Sequence, residues 1–286
     1  MTAGNYSPKS IVIYVREVRY LAAYYPELPP DEWHEQHIID YMLYLQKVHQ
    51  VSRAKCRLFA QSVAFFFRHI LKRPYDVPSK LYPRREFKLP SVLTVDEVKQ
   101  LLSNTTGIKQ CCLIELFYST GIRLEELRLL KMQDIEASQN RIRINHGKGN
   151  KQRFTILSKR CLENLRKYYK QLEVKPKDYL FEGQIPGQPM HARSIQHSVT
   201  LAYSKAGLAH KTHKVHALRH SFATHLLDNG VDIHTIKELL GHSKIETTMV
   251  YLHLQTSKRN ALISPLDVLD KPSNEIAMIE KGKLLL

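Results

Sequence analysis

Apolar residues in the first part of the chain recur at helical intervals. Ile11, Val15, Val18 and Ala22 follow a Ser7-Pro8 start, where proline is tolerated in a first turn. The same reading predicts helices over 35–48 and 52–71. In the second of these, Arg53, Lys55 and Arg57 lead into Phe65, Phe66, Phe67 and Arg68; the rings read as core, and the cations as candidates to face a DNA backbone. The periodicity stops over 72–90, where four prolines and six Lys or Arg predict a basic linker and a domain boundary. It resumes at Thr94, which forms a capping box with Glu97 ahead of helices at 94–103 and 109–118. Over 141–157 the period changes to two: RIRIN and QRFTIL alternate around the Gly-rich HGKGN, the pattern of a β-hairpin. Helices are expected again near 159–171, 191–206, 216–228 and 232–240. Leu218, Phe222 and Leu226 form one stripe; Ile233, Ile236 and Leu239 or Leu240 form another, with Gly230 as the stop between them. The fold class predicted is mainly α with a small antiparallel β-sheet (α+β).

Composition narrows the partners. The 286 residues allow one or two domains, and 43% hydrophobic content suffices for a core. No run of about 18 apolar residues predicts a membrane span, and MTAGNYSPKS lacks a signal-peptide core, so a cytoplasmic protein is expected. Cys56, Cys111, Cys112 and Cys161 have no paired metal-ligand spacing, and the adjacent pair reads as small core residues. The net charge of +16 is what changes the picture: it favours a polyanion, nucleic acid before an anionic membrane surface. Segment 141–170 alone carries ten Lys or Arg against the single acid Glu163, which suggests phosphate contacts of little sequence selectivity.

The densest chemistry lies in 216–253. His216 and Arg219 are three apart, so on a helix they share a face, expected to point away from the apolar stripe, and the pair suits phosphate oxygens. HALRHSFATHLL followed by LLGHSKIETTMVYLH closely resembles the C-terminal signature of the tyrosine recombinases, or phage integrase family. STGIRLEEL and GKGNKQR resemble two further blocks of that family, in family order. The resemblance runs from about Pro8 to about Val268 and is strongest from Thr120 to Tyr251. Ile122 and Glu125 depart from the commoner residues without touching a catalytic position.

The resemblance implies a catalytic set of Arg123, Lys148, His216, Arg219, His242 and Tyr251, with Glu126 as a supporting acid. Arg123 and Arg219 would stabilise charge on the phosphate, Tyr251 would attack, His216 would act as general base, and His242 would donate a hydrogen bond to a phosphate oxygen. Lys148, between two glycines at a hairpin tip, would protonate the leaving 5′ oxygen. No metal or ATP is called for, because the arginines do the work of a cation and a phosphotyrosyl bond conserves the energy of the broken phosphodiester.

The implied organisation is an all-helical core-binding (SAM-like) domain at 1–80, a basic linker at 81–90, a catalytic domain at 91–268 and a tail at 269–286, the two domains clamping double-stranded DNA. A homotetramer on paired DNA sites is the expected assembly. A mobile-element or integron-like role is favoured, with Xer-type chromosome dimer resolution as the alternative and a non-catalytic DNA-binding protein of the same fold as the rival of another class. Tails of this family often pack on a neighbouring subunit. Removing residues 264–286 is therefore expected to abolish recombination while duplex binding, measured by gel shift, is retained; unchanged recombination would refute a docking role.

Overall fold

The computed structural model describes residues 8–84, 90–145 and 152–254. It divides into two compact units, Met1–Lys88 and Leu89–Leu286. The 269–286 tail, and with it the segment expected to dock on a neighbour, lies outside the described residues, as does Lys148.

In the first unit, α1 (Pro8–Tyr24) packs on α3 (Arg53–His69), with α2 (Glu35–Lys47) between them in sequence. Ser52 caps α3 by accepting from the Lys55 backbone N–H at 3.4 Å. The core gathers Leu21, Trp33, Ile38, Met42, Phe59 and Phe67. Two expectations change here. Val15 is exposed, and the buried face of α1 carries Leu21 and the charged Glu17 instead. Glu17 is tolerated because Lys55 of α3 and the neighbouring Arg16 both donate to it. The proline-rich stretch, expected to be a basic linker, is docked on the core as far as it is described. Val77 is buried, and Leu81 and Tyr82 pack on the core. Gln46 donates to the Leu81 carbonyl at 2.7 Å and Arg53 to that of Pro83 at 2.5 Å. Prolines removed the helical period without removing the apolar contacts.

The second unit is built around α5 (Ile108–Thr120), preceded by α4 (Val95–Ser103) and followed by the short α6 (Leu124–Arg128). The capping box of α4 is present in full: Thr94 N–H donates to Glu97 at 2.9 Å, and Glu97 N–H to the Thr94 hydroxyl at 3.1 Å. The predicted hairpin is β2 (Arg141–Ile144) and β3 (Arg153–Ile156), paired antiparallel with Arg141 opposite Ile156 and Ile144 opposite Arg153. A short β1 (Ile135–Glu136), too brief for any period to announce, adds a third strand beside β2. Then come α7 (Lys159–Gln171), α8 (Ala192–Lys205), α9 (Lys214–Asp228), α10 (Ile233–Leu240), α11 (Glu246–Met249) and a 3-10 turn over Val250–Leu254.

Helix α5 is wrapped by α7, α8 and α9, so it is buried almost all round, including Leu113, Ile114, Leu116 and Phe117. Cys112 and Cys161 are free thiols in this core and Cys111 is half-buried, as small apolar residues are. A second cluster joins Phe222, Leu227, Ile236, Leu240 and Tyr251, and it holds α9, α10 and the final turn together.

Gly121 closes α5 with φ +60°. A Cβ there would lie 2.5 Å from the Phe222 ring and 2.9 Å from Leu240. Gly121→Ala therefore combines a disfavoured backbone with a clash, and should cost about 2 kcal/mol or more in chemical denaturation. A variant as stable as the parent would show that this packing is softer than the distances imply.

Candidate active site

The site is organised by the end of one short helix. Asp232 caps α10 at its start, accepting from His234 N–H at 2.9 Å and Thr235 N–H at 3.0 Å. Gly241, at φ +64°, ends it. The last carbonyls, which have no partner inside a helix, each meet a different arginine. Arg153 Nε donates to Leu239 O at 2.9 Å, Arg219 Nη2 to Leu240 O at 2.6 Å, and Arg123 Nη2 to Gly241 O at 3.0 Å. The negative end of the helix dipole favours cations at this position.

Arg123 is the N-cap of α6, and Glu126 reaches back to it. The Arg123 backbone N–H donates to Glu126 Oε2 at 2.9 Å, and its Nη1 donates to Oε1 at 2.8 Å. Arg153, on β3, takes the same carboxylate with a two-pronged grip of 2.8 and 2.7 Å. Burial opposes ionisation of Glu126, yet the bonds and charges of Arg153 and Arg123 outweigh it and hold the carboxyl at about 2.

Arg219 is expected from its spacing to point away from the core, and it does not. Its side chain is buried: Nη1 donates to the Gly121 carbonyl, and Nη2 is shared between Leu240 O and His242 Nε2 at 3.1 Å. The spacing argument placed the residue on a helix face; it did not show that the ends of α5 and α10 close over that face and supply acceptors. Burial and the charge of Arg123 push Arg219 down to about 9, so it remains a cation at neutral pH.

A guanidinium only donates, so His242 Nε2 accepts and its proton sits on Nδ1, 2.9 Å from the Thr248 hydroxyl. Burial, with the charges of Arg219 and Arg123, lowers His242 to about 3, so the ring is neutral. In this arrangement His242 is an acceptor toward Arg219, and its expected role as a donor to phosphate requires that contact to change.

Tyr251 is 1% exposed. Its hydroxyl lies 3.0 Å from Nδ1 of His220, with ring centroids 5.7 Å apart. His216, expected to serve as its base, lies one turn away on α9, 6.3 Å from the His220 ring, and lines a cleft of about 290 Å³ with His213, Lys214, Thr200 and Gln196. Burial raises Tyr251, with partial relief from Arg219 and Arg123; burial lowers His216, and lowers His220 to about 4.

Arg123, Glu126, Arg219, His242 and Tyr251 thus gather where the ends of α5 and α10 meet the face of α9, with His216 beside them on α9. Lys148 belongs to the undescribed tip between β2 and β3. Arg153 and His220 escaped the sequence reading. A signal existed for both: Arg153 shares the buried face of β3 with Thr155, where a charge demands a partner, and His220 lies four residues from His216, on the same helical side.

The pattern of the phage integrase family matches residues 91–258, and that of the family's N-terminal SAM-like domain matches residues 1–77. The chain belongs to the phage integrase family. It is a tyrosine recombinase, an enzyme of site-specific DNA strand breakage and rejoining. Among its relatives is a protein of Sinorhizobium fredii named as an integrase/recombinase, y4qK, 32% identical over 96% of this chain and 88% of that one. Another is the tyrosine recombinase XerD of Listeria innocua, 32% identical over 87% of this chain and 89% of that one. The crystal structure of the XerA recombinase covers 95% of both chains at 29% identity, with a TM-score of 0.56. That of XerH bound to a palindromic DNA substrate has the same fold, with a TM-score of 0.71 at 23% identity, covering 88% of this chain and 78% of that one. No helix among the described residues is long and apolar enough to cross a membrane.

The recombinase's half-buried His220 and His242 contribute to its acid stability. His220 and His242 sit below their unfolded value near 6.5, so the unfolded chain binds protons that the folded one refuses. Stability is then present above about pH 6.5 and falls as pH drops below it; Glu126 adds a further loss below about 4.3 as pH approaches its own folded value. The melting temperature should fall steadily from pH 7 to pH 4, and His220→Asn with His242→Asn should flatten that slope. An unchanged slope in the double variant would show that other groups control it.

Proposed function

We propose that this recombinase exchanges DNA strands for a mobile element or integron-like system, through a 3′-phosphotyrosyl intermediate on Tyr251. The observation that carries the reading is the meeting of Arg123 and Arg219 at one helix end, in the same unit as Tyr251. The mobile-element role is supported by the integrase-named relative, which this chain matches over 96% of its length, against 87% for XerD. The cytoplasm is the proposed compartment and a homotetramer on paired double-stranded sites the proposed assembly.

In the reaction, the Tyr251 hydroxyl attacks phosphorus while the bond to the 5′ oxygen breaks. The arginines receive the charge on the non-bridging oxygens, Lys148 gives the 5′ oxygen its proton, and the tyrosyl proton passes to His216 as base. The freed 5′-hydroxyl of a partner strand reverses the step and releases Tyr251. Loss of either arginine should raise the barrier by roughly 2.7–4 kcal/mol, about 10²–10³ in rate. Tyr251 must give up its hydrogen bond to His220 on the way, and phosphate must take over from His242 or the backbone as a partner of Arg219. DNA binding thus pulls the nucleophile out of the core.

Covalent trapping tests this. The protein is mixed with nicked duplexes from either side of its own gene that lose the 5′-hydroxyl on cleavage, beside a Tyr251→Phe variant and a duplex carrying the chromosomal dimer-resolution site. A denaturing gel should show a protein–DNA adduct with the flanking fragments and wild type alone. An adduct only on the dimer-resolution site would assign the Xer-type role instead, and one that persists in Tyr251→Phe would mean another nucleophile.

A further inference from the structure

We propose that Arg153 is a positioning residue for strand cleavage: by sharing Glu126, it keeps the guanidinium of Arg123 from closing a two-pronged pair with that carboxylate and so leaves it able to hold phosphate. The inference rests on the reading of Arg123 as a phosphate-binding arginine and deepens it.

The carboxylate of Glu126 offers two oxygens with about four lone-pair sites, and all four are used. Each oxygen takes one bond from Arg153, at 2.8 and 2.7 Å, and one from Arg123, at 2.8 Å from Nη1 and 2.9 Å from the backbone N–H. Arg153 therefore occupies the forked geometry that a carboxylate three residues away would otherwise offer to Arg123. Arg123 is left touching Glu126 through Nη1 and Gly241 O through Nη2. Its side chain is 27% exposed, against 10% for Arg153 and 3% for Glu126, so of the three it is the one that can meet DNA.

The charges lead to the same conclusion. Two arginines on one carboxylate leave a net positive charge in a buried site, where each charge acts strongly. Without Arg153, Glu126 and Arg123 would form a closed, neutral pair, and a phosphate would have to compete with a buried carboxylate for the fork. Arg153 is itself pinned for this task. Its Nε donates to Leu239 O at 2.9 Å, and its stem runs so close to Gly241 that a Cβ there would lie 2.8 Å from Arg153 Cδ. It also stands on β3, the strand that leads out of the Lys148 hairpin, so the same side chain ties that hairpin to the arginine site.

The test is single-turnover adduct formation on the nicked duplex that wild type cleaves, with duplex binding and thermal melting measured on the same samples. Arg153→Met should cleave roughly 10²-fold more slowly, the scale of losing one charge-stabilising donor, while binding duplex as before. Arg153→Lys should recover part of the rate, because an ammonium restores the charge without the fork. Adding Glu126→Gln to Arg153→Met should speed cleavage at least tenfold over Arg153→Met alone, an improvement that a purely structural role would not give. Should Arg153→Met fail to fold, Arg153→Lys decides: a rate equal to wild type refutes the inference. Wild-type cleavage by Arg153→Met, or no rescue by Glu126→Gln, refutes it equally. Arg123→Lys serves as the control: full activity in that variant would remove the underlying reading instead.

Discussion

Everything at the active centre depends on the junction between the carboxyl end of α10 and three arginines. Like charges gathered in a buried place repel one another and lose hydration, and they persist only where fixed acceptors surround them. Here the acceptors are consecutive backbone carbonyls, the carbonyl of Gly121, the carboxylate of Glu126 and the lone pair of His242. Only Glu126 among these carries a full negative charge. The site therefore keeps a surplus of positive charge while every cation has a partner, which is the state a phosphodiester can complete.

Tyr251, the proposed nucleophile, is held by partners in the same way. Tyr251 belongs to the apolar cluster that joins α9 and α10, and its hydroxyl is satisfied by His220, which burial keeps neutral. A phenol so enclosed resists ionisation. In this arrangement the residue is closed off from water and serves as core packing. His220 is thus the partner that holds the hydroxyl here, and His216, one turn away on α9, is the proposed base.

Much of this could be read from the residues. Helical period located all but the shortest helices, the alternation at 141–157 located the hairpin, and the Thr94–Glu97 box marked a start that the hydrogen bonds reproduce. What stayed hidden involved partners distant in sequence. Nothing in the spacing marks Glu17 as buried, because its partner Lys55 lies 38 residues on. Residues 72–84 read as linker because proline hides the period while leaving Val77 and Leu81 able to pack. Arg219 reads as outward-facing because its acceptors come from Gly121 and Leu240, on other helices. Spacing reports which residues share a face and is silent on what covers that face.

The anchoring of the arginines on backbone atoms has an evolutionary corollary. Carbonyls are the same whatever side chain follows them, so the identities of residues 239 and 240 matter for packing and little for holding the cations. The place where the helix stops is another matter. One residue inserted into α10 would turn its last carbonyls by about 100° and advance them by about 1.5 Å, unseating all three arginines at once. Drift in this stretch should proceed by exchange of residues at constant length, so that length, more than composition, is the inherited character of the segment.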